Sequence, residues 1–161
     1  MEIKAKKITR ENFSTFGTFL NPFNCGEPIN PGTSFPYYND RMPLRFSCGS
    51  LITLNVQIIE KRPFEFDVTE AHDDTEEIVG GFDTETVFHV GPVDRNGPDF
   101  SKFEVFILPK LNWYRLKKSI YHECPFIIKG TKTVGWCLLP PFTAYNDTRE
   151  YKTAKPIKIN F

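Results

Sequence analysis

Apolar and polar residues alternate in short runs along much of the chain. LITLNVQII (51–59), TVFHVGP (86–92), FEVFILP (103–109), YRLKK (114–118), CPFIIKG (124–130) and TVGWCLLPP (133–141) each read as a strand. On an extended backbone successive side chains point to opposite faces, so alternation marks a half-buried strand. Gly, Pro, Asn and Asp punctuate the runs, and many short strands broken this way predict an all-β sandwich or barrel. One helix start is predicted, in ITRENFSTFG. Thr9 is its cap, Asn12 is a poor partner three residues on, and Gly17 is its stop. NPFNCGEPINPGTSFPYYNDRMP (21–43) reads as loop. Neither a repeat nor a composition break divides the chain, so a single domain over residues 1–161 is expected.

Composition narrows the classes. The chain has 161 residues, enough to bury a core without staples. Phenylalanine is abundant at 16 and proline at 13, a strand former and a strand punctuator. Lys plus Arg equals Asp plus Glu at 20 each, so no net field draws the chain to nucleic acid or anionic lipid. No apolar run reaches membrane-span length, and MEIKAKKITREN lacks the apolar centre of a signal peptide, so a cytoplasmic protein is expected. Cys25, Cys48, Cys124 and Cys137 are scattered without a CxxC pair, which predicts free thiols.

The chemistry concentrates in TEAHDDTEEIVGGF (69–82). Glu70 and His72 stand two apart and share a strand face, and a turn can return Glu77 to the same cavity. SIYHECPF (119–126), by its resemblance to the second cupin motif, which supplies one more histidine from a hairpin, offers His122. Glu70, His72, Glu77 and His122 together form a mixed N/O set suited to a divalent Ni, Mn, Fe or Zn ion. A solvated acidic turn is the competing reading. His89 reads as core or cavity lining, Glu76 and Glu123 as solvent-facing, and Tyr121, Phe126 and Trp136 as core. Cys124 beside His122 lacks oxyanion-hole glycines, which argues against a thiol nucleophile.

The spacing of Glu70, His72 and Glu77 is similar to the first cupin motif, H-x-H-x-x-x-x-E, with Glu70 in place of the first histidine. EAHDDTEEIVGGFDTETVFHVGP, PDFSKFEVFILPK, YRLKKSIYHECPF and LLPPFTAYNDTREY, with the opening KKITRENFSTFGTFL, resemble the ureidoglycolate lyase family. The resemblance implies a single-domain cupin, a double-stranded β-helix or jelly-roll barrel, with a short N-terminal helix. It implies a homodimer, a divalent metal, and a small carboxylate substrate, ureidoglycolate, cleaved to urea and glyoxylate as in allantoin catabolism. The metal would bind the substrate carboxylate and hydroxyl, with Glu77 or Glu70 as the base. Strand parity offers Arg115 or Lys117 for the substrate carboxylate. The sequence departs from the cupin pattern where Leu111 and Ser119 replace hairpin glycines and Tyr121 replaces a tryptophan. A cupin sugar isomerase or epimerase, or a non-catalytic ligand-binding cupin, are the alternatives.

Overall fold

Strands dominate the computed structural model, which describes residues 1–47, 51–94 and 96–161. In chain order they are β1 (Glu2–Lys7), β2 (Gly17–Leu20), β3 (Thr53–Glu60), β4 (Glu65–Ala71), β5 (Glu77–Gly80) and β6 (Thr86–Gly91). Then come β7 (Glu104–Leu108), β8 (Trp113–Leu116), β9 (Tyr121–His122), β10 (Phe126–Ile127), β11 (Lys132–Leu139) and β12 (Arg149–Asn160). A one-turn helix, α1 (Thr143–Asn146), precedes β12. Strands β6, β7, β1, β12, β4 and β9 pair in that order, and β9 returns to β6, which closes a six-stranded barrel. A second, five-stranded sheet runs β2-β8-β5-β11-β3.

Two apolar layers follow from this arrangement. Phe66, Val87, Val105, Ile157 and Ile159 fill the barrel lumen. Phe88, Phe106, Val79, Tyr114 and Leu116 fill the space between the barrel wall and the second sheet. Strand β6 serves both layers and is buried along its whole length. That is why TVFHV reads as a nearly continuous apolar run, since neither face meets water. β12 pairs with β4 across a register shift between Lys152 and Ile157, and Pro156, which has no N–H to give the ladder, lies inside it.

The six strands read from the sequence are all present as β3, β6, β7, β8, β10 and β11, with ends moved by a few residues. The expected N-terminal helix is not formed. Its capping contacts are: the Asn12 N–H donates to Thr9 Oγ1 at 3.2 Å, and the Thr9 N–H donates back to Asn12 Oδ1 at 2.8 Å. Residues 10–16 remain a series of turns, because β2 begins at Gly17 and too few residues are left for a helix to propagate. Phe13 and Phe16 both enter the layer between barrel and sheet.

Strand β3 alternates as expected, with its polar residues on the inner face. Leu54, Val56 and Ile58 face outward at 57–60% exposure, while Thr53, Asn55 and Gln57 turn inward to line a cavity. Trp136, expected in the core, pairs with Val56 and lies 36% exposed on the same outer face. Tyr121 and Phe126 are buried, as expected. Cys25, Cys124 and Cys137 are free thiols, and Cys48 lies outside the described residues. Among the described residues no helix is long and apolar enough to cross a membrane.

Candidate metal centre

The acidic stretch divides between two tasks. Strand parity turns Thr69 and Ala71 into the barrel and Glu70 and His72 to the other side of the wall, toward the second sheet. Glu70 pairs directly with His122 of β9, which alternates with the inward-facing Tyr121. Glu77 arrives from β5 in the opposite sheet, after the chain reverses at 73–76. The turn itself is structural. The carboxylate of Asp147 accepts from the N–H groups of Asp73 and Asp74 at 2.8–3.1 Å. Asp73 takes the Ser119 hydroxyl and the Arg149 guanidinium, each at 2.6 Å.

Glu70, His72 and His122 bring one donor atom each to within 4.8 Å of one another, and this cluster can hold a metal ion. His122 Nε2 is 3.9 Å from Glu70 Oε1 and 2.7 Å from Glu77 Oε2, and His72 Nε2 is 3.9 Å from Glu77 Oε2. The second nitrogen of each ring is already committed. His72 Nδ1 donates to the Asp147 carbonyl at 2.8 Å, and His122 Nδ1 donates to the Ile120 carbonyl at 2.8 Å. A ring that gives its Nδ1 proton to a carbonyl has Nε2 left to offer a metal once any proton there is displaced, which is how metal-binding histidines are oriented. His122 Nε2 and Glu77 Oε2 are both buried, and they face each other at 2.7 Å as an ion pair with no other partner for either atom. Two oriented imidazoles and two carboxylates that converge on one buried point fit a divalent ion.

Electrostatics agree with the crowding. Burial alone would lower the His122 pKa, but the Glu77 carboxylate outweighs it and pushes the group up to about 9. Burial would raise Glu77; the His122 imidazole, the nearer of two, holds it below the usual carboxylate value. Glu70 is raised, chiefly by burial. The other oxygen of Glu77 accepts from Cys137 Sγ at 2.7 Å, and burial pushes that thiol far up.

A cavity of about 340 Å³ opens onto the cluster. Glu70, His72 and Glu77 form its base, with Asn55 and Gln57 of β3 on one wall and α1 near its mouth.

Arg115 and Lys117 are not brought to this cavity. Arg115 alternates with the buried Tyr114 and Leu116 and points the other way, with Nη1 3.4 Å from Glu76 Oε2 and Nη2 donating to Thr18 at 2.9 Å. Glu76, read as solvent-facing, is therefore buried at 6% exposure, because it has this arginine and the Arg45 N–H as partners. Lys117 Nζ donates to the carbonyls of Ser14 and Thr15. His89 is a core residue, stacked on Phe66 with ring centroids 3.6 Å apart and within 3.2 Å of the Thr69 hydroxyl.

Asp147, Cys137 and Gln57 carried no sequence signal as site residues. Asp147 acts from a distance of 75 positions on His72, and only its place in the polar run YNDTREY marks it as a turn former. No family model matches the chain, and no curated protein is significantly similar to it.

Proposed function

We propose that the protein is a metal-dependent lyase of the cupin type, acting on a small α-hydroxy acid, with ureidoglycolate as the first substrate to test. The observation that carries the metal reading is the pair of histidines whose Nδ1 atoms are both spent on backbone carbonyls while both Nε2 atoms face carboxylates. Glu70, His72 and His122 would hold the ion. When bound, the ion would supply Lewis-acid polarisation of the substrate hydroxyl.

The chain's own residues account for the rest. Glu77 Oε1 is fixed by Cys137, which leaves Oε2 as an oriented acceptor for the hydroxyl proton. As the O–H electrons form the carbonyl, the C–N bond breaks toward nitrogen, and Glu77 returns the proton to the departing urea. Two backbone features support the cupin assignment. Leu111 and Ser119 stand where the cupin hairpin carries glycine, and both have φ of 61°, the region glycine favours.

Elemental analysis of the purified protein and of His72→Ala tests the metal; urea and glyoxylate release from ureidoglycolate tests the reaction. About one equivalent of a divalent ion, lost in the variant, with both products formed, is expected. An isomer of unchanged mass would replace the lyase by an epimerase, and a protein that takes up no metal after reconstitution would overturn both.

A further inference from the structure

We infer that Gln57, with Asn55 beside it, is the specificity-determining element of this cavity, and that it reads N–H groups on the ligand, as in a ureido or amide group. The inference rests on the proposed ligand site and names what that site selects.

The inverted strand β3 is the starting point. A strand in an apolar setting normally turns its aliphatic face inward. Here Thr53, Asn55 and Gln57 occupy the cavity face and leave Leu54, Val56 and Ile58 to the outside. Exposing three aliphatic side chains opposes folding, and a polar cavity wall is what the chain gains from it. Within that wall Gln57 Oε1 is buried without a hydrogen-bond partner. An unmatched buried acceptor is unfavourable, so the site is complete only when a donor reaches it. Asn55 is oriented by its own contacts. Its Nδ2 donates to Thr53 Oγ1 and to the Cys137 carbonyl, both at 3.3 Å, which leaves Oδ1 as its free group. Asn55 therefore offers an amide oxygen to the cavity, and Gln57, which lines it, adds a second when its side-chain amide turns to a ligand.

The charge pattern points the same way. No lysine or arginine lines the cavity among the described residues, so no side-chain cation there binds a ligand anion. Selection away from the Glu/His cluster must use neutral hydrogen bonds. A site built to accept from N–H rejects an analogue lacking it, because its acceptors then stay unpaired.

The test compares two ligands of one shape. N-carbamoylglycine carries a carboxylate and a ureido group, and 4-oxopentanoate replaces its N–H and NH2 by CH2 and CH3. Binding of each is measured by calorimetry on the protein loaded with Mn(II), with metal content assayed on the same samples. The wild type is expected to prefer the ureido acid by about tenfold or more. Gln57→Leu should bring the two ligands to within about threefold, with metal content unchanged. Asn55→Leu, at a more exposed position, should reduce the preference partly, and it decides the matter if Gln57→Leu fails to fold. Equal binding of the two ligands by the wild type, binding of neither, or an undiminished preference in the variants would overturn the inference. Loss of metal from the wild type would instead count against the lyase reading, and is read separately.

Discussion

Two buried histidines lie on neighbouring strands of one barrel wall and have opposite characters. His89 faces the lumen, stacked on Phe66 with Phe103 nearby, and burial drives its pKa well below the usual imidazole value. His122 faces the other side of the wall, against Glu77 and Glu70, and is pushed up to about 9. Burial is common to both, so burial does not make a site. The difference lies in what each ring meets: aromatic faces and one hydroxyl for His89, two carboxylates and a second imidazole for His122. Strand parity decides which it will be, since one residue of shift exchanges the two environments.

The largest expected effect breaks the comparison at the ligand side. His122→Ala should lower divalent-metal affinity by about 100-fold or more, since even partners of metal ligands are worth 10–100-fold. His89→Leu should change it by less than about threefold. Titration with Mn(II) followed by calorimetry reads both. An equal loss in the two variants would show that the wall, and not the donor set, holds the metal.

Protonation sharpens the contrast, because the two rings bend stability in opposite directions. The folded-state pKa of His122 is raised, so its contribution is complete below about 6.5 and is lost as pH rises toward about 9. Its full size is about 3 kcal/mol in the metal-free protein. The folded-state pKa of His89 is lowered, so its burial costs nothing above about 6.5 and opposes folding as pH falls below it. Urea denaturation of the metal-free protein across pH should therefore show a fall on each side. Glu77→Gln should flatten the alkaline side and His89→Leu the acid side. Metal affinity should rise about tenfold per pH unit up to about 9, as the ion displaces one proton from His122.

A smaller effect is expected at Asp147, which ties the acidic turn to the segment that orients His72. Asp147→Ala removes the carboxylate that accepts from Asp73 and Asp74 but keeps the carbonyl that takes His72 Nδ1. A loss of about 1–2 kcal/mol in stability is expected, with about a tenfold drop in metal affinity through a loosened His72. Affinity unchanged in a destabilised protein would separate the turn from the site.

Much of this contrast was legible in the sequence, and the exceptions have one cause. The Glu70–His72 spacing was legible because strand parity is local information, and His122 was proposed for the cluster from the resemblance of SIYHECPF to a cupin motif. His89 was legible as core or cavity lining from its apolar neighbours. The partners of Glu76 and Arg115 were not, because their pairing depends on which face of β8 packs inward. The same limit hid the sense of β3. Alternation in LITLNVQII gives the period but not which phase is buried, and here the neighbouring cavity reverses the usual choice.

The smallest effect concerns the turn that presents His122. Ser119 has φ of 61°, a conformation that costs a non-glycine residue about 1 kcal/mol. Its N–H donates to the His72 carbonyl at 2.6 Å and its hydroxyl to Asp73 at 2.6 Å, so the serine joins the two histidine segments while occupying a glycine's conformation. Ser119→Gly relieves the strain and loses the hydroxyl bond, and the two should nearly cancel, leaving stability within about 1 kcal/mol of wild type. Leu111 shares the φ of 61°, its side chain is 42% exposed, and its N–H bond to the Phe82 carbonyl is independent of the side chain. Leu111→Gly should therefore stabilise the protein by less than about 1 kcal/mol, with metal affinity unchanged, because the covered part of the leucine and the freedom of glycine in the unfolded chain offset part of the relief. A destabilised Leu111→Gly would mean that the exposed leucine side chain packs more than its exposure implies, and that glycine at this hairpin position is dispensable.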